Sequence, residues 1–180
     1  KQSVCGFEAN GGFLAGSDII KNGKRLTALP TRDAVLPILA VLSIARQEKM
    51  PLAALFKRLP KRYSSAALIK QFPKSLGLAI VKQFSPPDPS VYDLVFYGDN
   101  IALLGENNTV LPINQETCDL LLVIRKTLLA FFTEKLGFAD ITRINYTDGV
   151  RITFANNDLA HLRPSGNADE LRIYAVADTQ

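Results

Sequence analysis

The stretch His161-Leu162-Arg163-Pro164-Ser165-Gly166-Asn167-Ala168-Asp169-Glu170-Leu171-Arg172-Ile173-Tyr174 sets a cation, a hydroxyl, a glycine and an amide within five positions, Arg163 to Asn167. The residues on either side read as strands. In chemical terms such a bend is a phosphate cradle. The Arg163 guanidinium offers a planar fork of donors that fits a phosphate bidentately, while Ser165, Asn167 and the amides freed by Gly166 add neutral donors around the remaining oxygens. The same residues also suit an ordinary tight turn, since Pro, Ser, Gly and Asn all favour turns and a surface arginine is commonly just solvated.

Working outward, the chain from Ile141 is strand-like throughout. Ile141 to Tyr146, Val150 to Phe154, Leu159 to Arg163 and Leu171 to Val176 are separated by Thr147-Asp148-Gly149, by Ala155-Asn156-Asn157-Asp158 and by the cradle itself. Asp-Gly and Asn-Asn between such runs mark hairpins, because these turns need residues that tolerate positive φ. The expectation is an antiparallel meander with the cradle between its last two strands.

The string RPSGNADELRIY resembles the phosphate-binding loop in the last domain of the alpha-D-phosphohexomutases, the superfamily of phosphomannomutases and phosphoglucomutases. Near the other end, Cys5-Gly6-Phe7-Glu8-Ala9-Asn10-Gly11-Gly12-Phe13 resembles the sugar-recognition loop of that superfamily's third domain. There a Gly-x-Glu-x-Ser/Asn-Gly pattern recurs. A carboxylate and an amide two residues apart in an extended segment lie on one side of the chain, so Glu8 and Asn10 can face one ligand. Glu8 accepts from sugar hydroxyls, and Asn10 both donates and accepts. Taken singly, GFEANGG also reads as a Gly-rich loop closing a strand and is a weak signal.

Composition bounds the rest. At 180 residues and 47% apolar content the chain holds enough hydrophobic material for one large or two small domains. A formal net charge of +4 is too modest to demand a polyanionic partner. Cys5 and Cys118 match no zinc or redox spacing and are expected as free thiols. No apolar run approaches the ~18 residues of a membrane span. The start, Lys1-Gln2-Ser3-Val4, lacks a signal-peptide layout, which gives a soluble, cytoplasmic protein as the expectation.

Between the two loops, Asp33 is a good N-cap for a helix from Ala34 to Ala45, apolar nearly all round and therefore expected to be covered on more than one side. A second helix spans Leu52 to Leu59. The domain boundary falls in Lys57-Arg58-Leu59-Pro60-Lys61-Arg62-Tyr63, where four basic residues in six positions are read as a solvated linker. Pro73 to Phe84 reads as a helix, and Tyr92 to Leu104 as a hairpin around Gly98-Asp99-Asn100. Gln115 to Leu136 reads as one long helix with Leu121, Ile124, Leu128, Phe132 and Leu136 on a core-facing stripe, stopped by Gly137.

The resemblance implies α/β plus α+β architecture. Residues 1–60 would be the C-terminal part of the three-layer α/β domain III. Residues 61–180 would be domain IV, an antiparallel sheet flanked by helices and TATA-binding-protein-like. It also implies phosphoryl transfer between C1 and C6 of a hexose phosphate, with Mg2+ and a hexose 1,6-bisphosphate serving the full-length enzyme. Glu8 and Asn10 would bind the sugar, while Arg163, Ser165, Gly166 and Asn167 would bind the phosphate that is not reacting. This sequence has no Asp-x-Asp-x-Asp triplet and no serine in a Ser-His context. It therefore offers no catalytic residue and no metal ligand, and the missing domains I and II are expected to supply both; the chain alone is expected to be inactive. Asn167-Ala168-Asp169 departs from the family by losing a proline after the cradle and by adding an anion beside it. The lone histidine, His161, reads as a partly buried strand residue bonded to a neighbour. The competing reading is a non-enzymatic module in which the meander and basic linker bind nucleic acid or an acidic protein.

Overall fold

Asn22 and Gly23 take positive φ, 51° and 73°, and close a tight hairpin between β3 (Ile19–Lys21) and β4 (Lys24–Leu26). The computed structural model describes residues 4–7, 12–98 and 100–178, and the chain divides into two units, Lys1–Pro60 and Lys61–Gln180. In the first, β1 (Cys5–Phe7), β2 (Phe13–Ala15) and β5 (Leu29–Asp33) form an antiparallel sheet in the order β1-β2-β5. Two helices follow, α1 (Val35–Gln47) and α2 (Leu52–Phe56). Asp33 caps α1, its Oδ1 accepting the N–H groups of Val35 at 2.8 Å and Leu36 at 3.2 Å. Pro37 is the third helical residue, where an N–H would lack an intrahelical acceptor anyway. Among the described residues α1 is not covered on several sides: Ala45 is its buried residue, while Val35, Ile38, Leu39 and Leu42 are exposed.

The second unit is an eight-stranded sheet, antiparallel at every pairing, in the order β6-β13-β12-β11-β10-β7-β8-β9. Its strands are β6 (Tyr63–Lys70), β7 (Asp93–Tyr97), β8 (Asn100–Leu104), β9 (Val110–Leu111), β10 (Ile141–Asn145), β11 (Val150–Phe154), β12 (Leu159–Pro164) and β13 (Glu170–Ala177). Between them lie α3 (Lys74–Gln83) and α4 (Gln115–Phe131). The chain as a whole is thus mixed α/β with a large antiparallel sheet.

Strand alternation decides which side of that sheet is covered. Val150, Ile152 and Phe154 of β11 point one way and are buried with Leu94, Phe96, Leu103, Ile141 and Ile144, against Leu121, Ile124 and Leu128 of α4. Ile141 and Ile144 share this side although three positions apart, because the β10–β11 register shifts between Ile141 and Arg143. Registers across the sheet carry the same side through Ala160 and Pro164 to Leu171. There Gly77 of α3 meets Pro164 so closely that a Cβ would lie 3.1 Å from its ring. Both helices therefore cover one side. The other carries Asp93, Arg143, Asn145, Arg151, His161, Arg163, Arg172 and Tyr174 in cross-strand register.

The long helix read from Gln115 to Leu136 is corrected. Its regular part ends at Phe131, Phe132 leaves helical geometry at φ −96° and ψ 74°, and a separate 3-10 turn follows at Glu134–Leu136. Leu136 is consequently exposed, and Gly137 stops that turn rather than α4, at φ 87°. The basic linker is not simply solvated either. Arg58 pairs with Glu48, and Arg62 binds Asp178 Oδ1 at 2.8 Å and the Asn157 carbonyl at 2.6 Å.

Candidate phosphate site

The bend begins where β12 and β13 separate. Arg163 faces Arg172 and Pro164 faces Leu171 across the ladder, and Ser165 N–H then donates to the Glu170 carbonyl at 2.8 Å. That bond fixes a short loop from Ser165 to Asp169 over the start of α3. The loop is held there by Asp169, whose carbonyl accepts from Phe72 N–H at 2.9 Å and whose Oδ1 accepts from Lys74 N–H at 3.2 Å. The Asp169 carboxylate thus lies at the positive end of a helix. Lys74 Nζ donates to the Gly166 carbonyl at 3.2 Å, which brings a second cation to the bend.

Arg163 is partly buried, and its Nη1 pairs with the Asp148 carboxylate. Its carbon Cζ lies 6.0 Å from the centre of the Tyr174 ring. Burial opposes the charge, but Asp148 and Tyr174 together outweigh it and hold the guanidinium above its ordinary pKa. Arg163 Nε is buried with no partner. Ser165 is 1% exposed, and its Oγ likewise has no partner. Gly166 and Asn167 are exposed. His161 shares the Arg163 side of β12, its Nε2 lying 2.5 Å from the Asp148 carbonyl and its ring 5.8 Å from that of Tyr174.

Glu8 and Asn10 lie outside the described residues. Their flanks are described: Phe7 of β1 pairs with Phe13 of β2. Asp148, Tyr174, Arg172 and Lys74 surround Arg163 or its loop and were not read as site residues. Strand alternation gave a signal for Arg172 and Tyr174, which follow one another at a spacing of two on β13 and oppose Arg163 and His161. Asp148 and Lys74 arrive only through tertiary packing.

Among the described residues no group of three or more His, Cys, Asp or Glu side chains is placed to hold a metal ion. No helix among them is long and apolar enough to cross a membrane. Cys5 and Cys118 are free thiols. A hollow of about 450 Å³ lined by Leu129, Phe132, Thr133, Glu134, Phe138, Ala139 and Asp140 shares no residue with the cradle.

No family model matches the chain. A phosphomannomutase of Salmonella muenchen is 34% identical to it over 179 residues, covering 98% of this chain and 28% of that protein. A phosphomannomutase of Sinorhizobium fredii (strain NBRC 101917 / NGR234) is 35% identical over 183 residues, covering 99% of this chain and 29% of that protein. The chain therefore spans less than a third of the length of these relatives.

Proposed function

The chain belongs to the alpha-D-phosphohexomutase superfamily, and on that premise we propose that it is the substrate-gripping C-terminal part of a phosphomannomutase-like phosphosugar mutase. In this reading residues 61–180 are domain IV, and the antiparallel sheet with both helices on one side supports its TATA-binding-protein-like assignment. Residues 1–60 are part of domain III. Arg163, Ser165, Gly166 and Asn167 hold the phosphate that does not react, and Glu8 and Asn10 hold sugar hydroxyls. The whole protein, working in the cytoplasm, moves a phosphoryl group between C1 and C6 of the hexose.

One observation carries the cradle assignment. Four buried side-chain polar atoms among the described residues lack a partner, and two of them, Arg163 Nε and Ser165 Oγ, sit two positions apart in the bend. Burying a donor unpaired is unfavourable unless a ligand completes it. A phosphate, with its several acceptor oxygens, supplies what both donors lack. Because neither atom is open to solvent, contact requires the loop around exposed Gly166 and Asn167 to shift as the phosphate enters.

In phosphoryl transfer the protein supplies position and electrostatic stabilisation. The residues described here fit the first of these tasks. They do not fit Mg2+, since no acidic cluster among them suits it, and no step through a metal is assigned to them. Nucleophile and metal ligands belong, in this proposal, to domains I and II, which leaves this part inactive by itself. The nucleic-acid alternative is disfavoured by the internal pairing of Arg58 and Arg62, which occupies half of the basic cluster it relies on.

The test is the affinity of the 180-residue chain for glucose 1,6-bisphosphate, measured by calorimetry for the native sequence and for Arg163→Ala. Loss of a charge-assisted pair should weaken binding about ten- to a hundredfold. An unchanged affinity removes Arg163 from the site, and tighter binding of random oligonucleotides than of hexose phosphates would favour the alternative.

A further inference from the structure

Thr147-Asp148-Gly149 joins β10 to β11, fifteen positions before Arg163 in sequence, yet it packs directly on that residue. Three features bind the turn to β12. The Asp148 carboxylate holds Arg163 Nη1, the Asp148 carbonyl lies 2.5 Å from His161 Nε2, and Gly149 sits where a Cβ would come within 2.8 Å of Arg163 Cβ. Gly149 also takes φ +88°, a conformation that glycine adopts without strain. The Tyr174 ring bounds the guanidinium from β13.

From this arrangement we infer that Asp148 is a positioning residue for phosphate recognition: it fixes Arg163 by Nη1 in one rotamer and leaves the Nε edge for the incoming phosphoryl group. The inference rests on the cradle reading of Arg163. A long, flexible arginine otherwise gives up rotamer freedom when it closes on a ligand, and prior immobilisation removes that loss from binding. The pair is a poor candidate for stabilising the fold, since Asp148 is more than half exposed and such ion pairs contribute little.

Simple electrostatics makes the opposite prediction, because a carboxylate beside an anion site repels the anion and its removal should tighten binding. The sign of one measurement therefore separates the two. The 180-residue chain is titrated with inorganic phosphate and with glucose 1,6-bisphosphate as native sequence, Asp148→Ala, Asp148→Asn, Arg163→Ala and Asp148→Ala/Arg163→Ala. Positioning predicts that Asp148→Ala weakens binding about tenfold, while Asp148→Asn, which keeps an oxygen for Nη1, stays within about threefold of native. In the Arg163→Ala background the Asp148 change should have no further effect. The Arg163 Nε–H resonance should also broaden or shift toward solvent-averaged values in Asp148→Ala before any ligand is added. Should that variant not fold, Asp148→Ser, turn-compatible but too short to reach Nη1, takes its place. Binding by Asp148→Ala that equals or exceeds native, with Arg163→Ala still impaired, overturns the positioning role and leaves the cradle standing. Full affinity in Arg163→Ala removes both.

Discussion

The Asp169 carboxylate accepts the backbone N–H of Lys74 at 3.2 Å, so the first turn of α3 is capped by a residue ninety-five positions further along the chain. The residue before α3 is Pro73, which supplies no side-chain cap of its own. One carboxylate thus anchors the cradle loop and completes a helix. Asp169→Ala should cost about 1 kcal/mol, and Asp169→Asn, which keeps the acceptor, clearly less. Hydrogen exchange at the first amides of α3 reads this, and equal protection in native and Asp169→Ala would contradict it.

Ser165→Ala should separate stability from binding. It removes a buried hydroxyl that has no partner, and the ligand-free chain should gain about 1 kcal/mol. Affinity for glucose 1,6-bisphosphate should fall about three- to tenfold at the same time, since the phosphate loses a donor. Paired melting curves and titrations check both, and a variant that is less stable while binding normally would count against the cradle.

Phe154 is 1% exposed and packs edge-on against Phe132 with ring centres 5.4 Å apart, and tilted against Phe138 at 5.2 Å. Phe154→Ala opens a cavity at the seam between β11 and the end of α4. A loss of about 3 to 5 kcal/mol is expected in denaturant unfolding of the second unit. A cost under about 1 kcal/mol would mean that this cluster is not the core.

At Gly149 any side chain meets the backbone of β12 and must also adopt φ +88°. Gly149→Ala should therefore destabilise by about 2 kcal/mol or more. Faster exchange of the β12 amides than of those in β7 would localise the damage, whereas uniform loosening would point elsewhere.

Asp88 accepts from Ser90 Oγ at 2.7 Å and Ser90 N–H at 2.8 Å, and these bonds, the hydroxyl's first, hold its carboxyl below the ordinary range. A lowered folded-state pKa contributes stability above the unfolded value and loses it as pH falls through the folded one. The melting-temperature gap between native and Asp88→Ala should be constant near neutrality and close below about pH 4. A gap unchanged at pH 3 would show that the carboxylate's charge is irrelevant there.

Turns were the most legible part of the chain. Asn157 at φ 64° and Gly149 at φ 88° supply the positive φ that hairpins demand, and residue type announces it locally. The edge strand β6 went unread because it is exposed along all eight residues and its Ser64-Ser65-Ala66-Ala67 run carries no alternation to detect. The end of α4 was misplaced because apolar spacing continues past Phe132 into Leu136, and periodicity does not register one residue leaving the helix. Within the cradle, Arg163 and Ser165 announced themselves by chemistry. Asp148 and Lys74 did not, since fifteen and ninety-odd positions of intervening chain are closed only by strand register and helix docking.

Pairing β6 with β13 joins the first and last strands of the second unit, and Arg62 to Asp178 closes over 116 positions. Such non-local contacts form late and slow the search for the native arrangement. During synthesis the sheet cannot be finished until β13 has emerged, and a chain halted before β13 presents β12 as a raw border ready to recruit other strands. Aggregation of prematurely stopped products follows from that order of strands.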